Sequence, residues 1–429
     1  MIRLSKVLLS TLSAGLFFLP SVPAGAQQPD LDALRDEIDI RVEAITGQVV
    51  DWRRDLHANP ELGNREFRTA GVIADHLRSL GMEVETEVAH TGVVGLLRGG
   101  LPGPVVALRA DMDALPVTEL VDVPFASKVR TEYNGQEVGV MHACGHDNHM
   151  AVLLGVAEVL SGMQERLPGT VKFIFQPAEE GAPAGEDGGA ALMVKEGVLE
   201  DPTPDAIFGL HVMPVRTGTI GFRPAGAMAS SQTLRIKVRG AQTHGAMPWG
   251  GVDPVVVSAQ IVLALQTVIS RQSDITKAPA VVTIASIHGG LRSNIIPDSV
   301  VMLGTVRTLD GAMQTRIEER IRRTVAGIAE SAGAEAEVFL SEGLPVTYND
   351  PDLTERMATT LERVAGPGNA FLSPPTTGAE DFSYFQQEIP GLYFFLGVIP
   401  DSIPLEEAYP NHSPYFFADE SALPLGVRA

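Results

Sequence analysis

The densest chemistry in the chain is Met141-His142-Ala143-Cys144-Gly145-His146-Asp147-Asn148-His149, three histidines, a thiol and a carboxylate in one short run. Thiolate and imidazole are the donors that hold zinc-type ions, and solvated loops rarely concentrate them so closely, so Cys144 and His146 are candidate metal ligands. In extended backbone these two point the same way, and Gly145 between them leaves room for an ion. A satisfied loop around a buried free cysteine is the bland alternative. Phe175-Gln176-Pro177-Ala178-Glu179-Glu180-Gly181 ends a strand-like run. A Glu-Glu pair alone is commonly a solvated face. Beyond the carboxyl end of a parallel strand, where ligands collect, the two can divide labour: one holds metal while the other takes a proton from water. His211, closing Ile207–His211, and His412, in Tyr409–Ser413, are further candidate ligands, each with a purely structural alternative. Asp113, in Arg109–Pro116, is a candidate acceptor that orients a ligating histidine, or else ordinary turn chemistry.

These residues need strands to carry them. Asp30–Leu80 has helical spacing, and Gly81 then provides a stop. Glu83–Val88, Val93–Leu97 and Val105–Ala110 read as strands, the last apolar without alternation, as in a strand buried on both faces. Asn148–Leu160 reads as a helix, Thr170–Phe175 as a buried strand, Gly188–Lys195 as a helix and Asp205–Gly209 as a strand. This alternation predicts an α/β layer with a mostly parallel sheet and helices on both faces. Near Gly226 the texture changes. Thr233–Val238, Pro254–Ile269, Ala280–His288, Asp298–Arg307, Met313–Ser331 and Ala334–Leu340 follow the order β-α-β-β-α-β, the split βαβ pattern of a small α+β unit. Gly391–Leu396 returns to an apolar strand. The expected organisation is a catalytic domain of residues 27–225 and 341–429, interrupted by a smaller inserted lid and dimerisation domain at 226–340.

The chain has 429 residues, 45% hydrophobic and 20% charged, which describes a globular protein and excludes collagen-like and disordered classes. Its 32 Lys and Arg stand against 53 Asp and Glu, a formal charge of −21 that argues against nucleic acid as a partner. Arg3 and Lys6 precede the apolar run Val7–Leu19, and Ala24-Gly25-Ala26 offers a cleavage site. Residues 1–26 are therefore expected to be a signal peptide, making the mature protein periplasmic or secreted. No later run of uninterrupted apolar residues reaches the length of a membrane span, so none is expected in the mature chain. Cys144 is the one cysteine. In an exported protein an unpaired thiol is unusual, and metal ligation would explain it.

The order of motifs resembles one enzyme group over essentially the whole mature chain: Asp55–Leu62, Arg109–Pro116, Met141–His149, Gln176–Gly181, Gly209–Val212, Thr243–Pro248, Asn294–Asp298, Gly378–Ser383 and Asn411–Pro414. It is similar to the amidohydrolase branch of the cocatalytic-metal aminoacylase and carboxypeptidase superfamily, which includes hippurate hydrolases, N-acyl-amino-acid amidohydrolases and auxin-conjugate hydrolases. The resemblance implies two divalent ions (zinc or manganese, with nickel or cobalt as alternatives) held by Cys144, His146, Glu180, His211 and His412, with Cys144 as the bridge. It implies Glu179 as general base and acid, and a homodimer in which His244 enters the partner's site as oxyanion donor, with Asn294 nearby. Arg307 or Arg292 would meet a substrate carboxylate, and Gly378 would belong to the substrate loop. The expected reaction is hydrolysis of the amide bond of N-acyl amino acids or small peptides. The alternatives are an exported dipeptidase or carboxypeptidase of the same superfamily, or a metal- or peptide-binding relative without catalysis.

Overall fold

The computed structural model describes residues 31–429, so the expected signal peptide at 1–26 lies outside the described residues. The helical pattern before Gly81 forms two helices, Leu31–Ala58 and Phe67–Ser79. The break falls at Asn59-Pro60, because proline disfavours helical backbone in the residue before it. The intervening loop is put to use: the Glu61 carbonyl accepts a hydrogen bond from Ala114 N at 2.8 Å, beside the strand end that carries Asp113.

A central eight-stranded sheet runs, in spatial order, Glu83–Val88, Gly92–Arg98, Pro168–Gln176, Leu101–Asp111, Ala206–Arg216, Gly391–Ile399, Ile220–Phe222 and Ala370–Leu372. Four of its neighbouring pairs are parallel and three antiparallel, so the sheet is mixed and mostly parallel. Alternation along Pro168–Gln176 supplies both faces. Phe173 and Phe175 pack with Ile73, Leu77, Met150 and Leu154 of one helical layer. Ile174 packs with Ala190, Met193, Phe382 and Phe385 on the other.

The inserted unit has a four-stranded antiparallel sheet in the order Ala280–His288, Ser299–Thr308, Ser230–Arg239, Glu335–Leu340. On Ser230–Arg239 the fully buried Leu234, Ile236 and Val238 alternate with more exposed residues. They meet Val257, Ile261 and Leu265 of helix Pro254–Gln272, and Ile317, Ile321 and Val325 of helix Gly311–Ser331. Asp253 caps the first of these helices through Val255 N and Asp310 the second through Met313 N. Pro254–Gln272 is long and apolar enough to cross a membrane by length and composition, but one of its faces lies in this core.

Candidate metal centre

Three adjacent parallel strands, Leu101–Asp111, Pro168–Gln176 and Ala206–Arg216, end toward one site, the place where open α/β sheets bind ligands. Asp113 follows the first, Glu179 and Glu180 the second, and His211 lies within the third. Gly145 sits at φ 98°, and a Cβ there would meet Val212 Cγ2 at 2.3 Å. The left-handed backbone and the Val212 side chain together require glycine here. This left-handed turn separates Cys144 from the helix His146–Ser161, in place of the extended stretch expected from sequence. His412 arrives from the C-terminal segment, tied by its own N–H to the Ala143 carbonyl at 2.8 Å. Asn411 donates from Nδ2 to the carbonyls of Cys144 and Val212.

The five expected ligands converge. Cys144 Sγ lies 3.3 Å from both His211 Nε2 and His412 Nε2, and His412 Nε2 is 2.9 Å from Glu180 Oε1. Cys144, His146 and His211 form one set of mutually close donor atoms, Cys144, Glu180 and His412 a second, and His146, Glu179 and Glu180 a third. The imidazoles are oriented through their other nitrogens: His146 Nδ1 bonds the Asp113 carbonyl at 2.8 Å, and His211 Nδ1 the Val212 carbonyl at 2.7 Å. His146 Nε2 is left buried without a hydrogen-bond partner, aimed into the cluster. An orphaned imidazole nitrogen beside a thiol and a carboxylate is what a metal ion would satisfy. The thiol reads the same way. Burial and the Glu180 and Glu179 carboxylates push Cys144 well above its usual value, so a thiolate there needs a cation beside it.

Asp113 orients His146 through its backbone carbonyl. Its carboxylate also lies 3.3 Å from His146 Nδ1 through Oδ1, and it accepts the Glu179 and Glu180 N–H groups at 3.0 Å each, fixing the turn that presents the glutamate pair. Burial, then the Glu380, Glu180 and Asp381 carboxylates, raise Glu179 well above an ordinary carboxyl, the direction suited to a proton carrier. On Glu180, burial is outweighed by His412 and His146, and its pKa is lowered. Adjacent glutamates thus acquire opposite tendencies from their surroundings.

His149, the third histidine of the motif, uses both nitrogens structurally: Nδ1 bonds Asp111 at 2.6 Å and Nε2 accepts Val212 N at 2.9 Å. Sequence reasoning missed two buried networks beneath the site. Arg109 reaches Gln176, Asp111, Glu380 and Asp381 at 2.6–3.0 Å. Asp147 accepts from Arg53 and His57 at 2.8 Å, and His57 also meets Glu119 at 3.0 Å. Both sets include residues of the quoted motifs, but only the fold reveals that distant charges of opposite sign meet there.

The residues expected from the lid stand apart. His244 is exposed and accepts Ala246 N at Nδ1, while the Asn294 carbonyl accepts Gly245 N, so His244 and Asn294 are neighbours of each other. Within the described residues no hydrogen bond or ion pair joins His244 to the cluster. Arg307 is half-buried on Ser299–Thr308, Arg292 is exposed on the turn before Ile295, and the Gly378 carbonyl accepts Ala229 N at 2.8 Å.

Residues 107–429 match the description of Peptidase family M20/M25/M40. The chain belongs to this family. It is 41% identical over 391 residues to thermostable carboxypeptidase 2 of Saccharolobus solfataricus, covering 90% of this chain and 95% of that one. It is 36% identical over 434 residues to IAA-amino acid hydrolase ILR1-like 2 of Arabidopsis thaliana, covering 99% and 93%. Among solved structures, the Bacillus subtilis YXEP protein, described as a dinuclear metal binding peptidase from the M20 family, aligns with a TM-score of 0.75 at 34% identity, over 90% of this chain and 96% of that one. This M20 protein is a metal-dependent amidohydrolase with an α/β fold and an inserted domain.

Proposed function

We propose that the protein hydrolyses N-acyl amino acids, hippurate-like substrates among them, or small peptides, and that Cys144, His146, Glu180, His211 and His412 would hold the two divalent ions this needs, the Cys144 thiolate being shared between them. The observation that carries this reading is the junction of those five donors with a sixth group, Glu179, whose Oε2 lies 4.0 Å from His146 Nε2. Thiolate, imidazole and carboxylate together suit zinc, with manganese, nickel or cobalt as alternatives. When bound, such ions act as Lewis acids and bring water into a range where a carboxylate can deprotonate it. Glu179 takes the proton from the attacking water and returns it to the leaving nitrogen. Pure binding would need no such base, which favours an enzyme over a binding protein.

The mature protein is read as exported, from the leader at 1–26, and as a homodimer through the inserted domain of residues 226–340, with the catalytic domain built from 27–225 and 341–429. Val255, Val256 and Leu263 on helix Pro254–Gln272 are 46%, 54% and 73% exposed, and an apolar helix face of this kind supports a subunit contact. Across that contact His244 would donate to the developing oxyanion, with Asn294 beside it. Arg307 is the preferred partner for the substrate carboxylate and Arg292 the alternative; Gly378 lies on the substrate loop. A carboxypeptidase is the second reading, favoured by the 41% identity to thermostable carboxypeptidase 2.

Assay of the metal-reconstituted protein on N-acyl amino acids against C-terminally varied dipeptides separates these readings. Release of the amino acid from the acyl substrates, abolished by chelation and restored by metal, is the expected result. Full turnover after complete metal removal would refute the mechanism.

A further inference from the structure

The turn that presents Glu179 and Glu180 is held by two buried carboxyl groups, of which Asp113 is one. The other is Glu66, fully buried at the start of the helix Phe67–Ser79. Its Oε1 accepts Ala178 N at 2.9 Å, and its Oε2 accepts the Thr91 hydroxyl at 2.5 Å. Asp113 accepts the next two N–H groups, so three consecutive backbone donors, Ala178 to Glu180, point at two side chains. Ala178 itself is buried at φ 51°. A non-glycine residue keeps that left-handed backbone only where its surroundings hold it there. Gly63 closes the same turn from outside: a Cβ on it would stand 3.1 Å from Ala178 Cβ and 3.0 Å from the Gly181 carbonyl oxygen.

An acid at the start of a helix ordinarily caps it, and Glu66 does not. Its side chain makes no capping bond. The Glu61 carboxylate takes that place, accepting Arg68 N at 3.1 Å and Thr69 N at 2.8 Å. Nor, among the described residues, is Glu66 ion-paired, since the adjacent Arg65 is engaged by Glu186. Burial and the nearby Asp113 raise it to about 7, so the carboxyl sits there at a cost. A position that only filled space would favour an apolar side chain. What this carboxyl supplies is an acceptor for Ala178 N, one residue before Glu179.

We propose that Glu66 is a positioning residue for the hydrolytic step: with Asp113 it clamps the backbone Ala178–Glu180 and so fixes where the Glu179 carboxyl stands. Thr91 in turn fixes Glu66 through its second oxygen. The proposal rests on the reading of Glu179 as proton carrier and adds what holds that residue in place. A reacting group displaced by about 1 Å loses about 100-fold in rate, so a slackened turn should slow turnover while substrate binding is spared.

The test measures kcat, KM and metal content for metal-loaded wild type, Glu66→Met, Glu66→Gln and Thr91→Val on N-benzoylglycine, with Glu179→Gln in parallel. Methionine keeps most of the volume and removes the acceptor. Its kcat is expected to fall about 10- to 100-fold, with KM within about twofold and metal content at the wild-type level. Glutamine can still accept Ala178 N and donate to Thr91, and should recover most of that kcat. Thr91→Val exchanges a hydroxyl for a methyl, and its loss of kcat at unchanged KM carries the answer if Glu66→Met does not fold. A residue that only stabilised the fold would lower the metal-loaded fraction and leave kcat per loaded site unchanged. That result in folded Glu66→Met, or in Thr91→Val if methionine does not fold, overturns the positioning role. A glutamine variant as slow as the methionine one overturns it as well. In both cases wild-type turnover leaves the hydrolase reading standing, whereas unimpaired Glu179→Gln, or no wild-type turnover of acyl amino acids and dipeptides alike, removes that reading and the proposal with it.

Discussion

Replacing Arg109 with methionine removes the one cation from a fully buried cluster and keeps most of the side-chain volume. The guanidinium touches Asp111 at 2.6 Å, Glu380 at 2.9 Å and Asp381 at 3.0 Å, all of them buried. Breaking a buried pair from one side costs about 3–5 kcal/mol, because the remaining charge is stranded. Three such losses do not add. Asp111 keeps His149 at 2.6 Å, Glu380 keeps the Tyr393 hydroxyl at 2.6 Å, and Asp381 keeps Ala190 N at 2.7 Å. Burial raises Asp381 to about 8 against the pull of Arg109. The expected loss is about 3–5 kcal/mol at pH 8, a large part of the 5–15 kcal/mol that folded proteins typically have. Arg109 pulls the Asp381 pKa down, so without it the folded pKa of Asp381 stands further above the unfolded one. Its penalty is therefore absent below the unfolded value of about 4 and grows as pH rises. Denaturant midpoints of wild type and variant at pH 5 and pH 8 should diverge toward the alkaline side, and adding Asp381→Asn to Arg109→Met should recover part of the loss. A variant within about 0.5 kcal/mol of wild type at pH 8 would refute the claim that this cluster braces the strand ends.

Glu179→Gln is expected to reduce kcat by about 10²–10⁴-fold while metal content, measured by elemental analysis, stays at the wild-type level. His244→Ala should lower kcat by about 10²–10³-fold, and mixing it with Glu179→Gln should restore turnover, since a mixed dimer regains one complete site if the histidine crosses the subunit boundary. Recovery absent from mixed dimers whose formation is verified would place His244 within its own subunit or outside catalysis. Glu66, fully buried and raised from 4.5 to about 7 by burial and by Asp113, should contribute stability that is present below about pH 4.5 and lost as pH rises through 7. Thermal unfolding of Glu66→Gln should show that slope flattened by about 3 kcal/mol across the window, and an unchanged slope would assign the pH dependence elsewhere.

Short-range pattern and donor chemistry were legible along the chain. The two-sided burial of Val105–Ala110, the β-α-β-β-α-β order of the insertion and the ligand types of Met141–His149 depend on neighbouring residues, so they survive in one dimension. Helix boundaries were less legible: Asp30–Leu80 keeps its apolar period through a break that Pro60 imposes. Gly145 was legible as a special position but its cause was not, since Val212 approaches it from another strand. The roles within the histidine cluster were also closed to the sequence. Nothing local distinguishes His149, tied to Asp111 and Val212, from His146, whose Nε2 stays free.

The sequence by itself determined that this is an α/β protein with an inserted unit and a thiol–imidazole–carboxylate set suited to metal-assisted hydrolysis. It did so because hydrophobic period and donor type are properties of the residues. The tertiary structure decided which donors meet and what surrounds them. Cys144, Glu180, His211 and His412 come together only because adjacent strand ends and a returning C-terminal loop share one point in space. The raised Glu179 and the buried Arg109 cluster arise from the same cause. Burial and charge are set by neighbours in space, and these come from segments far apart in the chain.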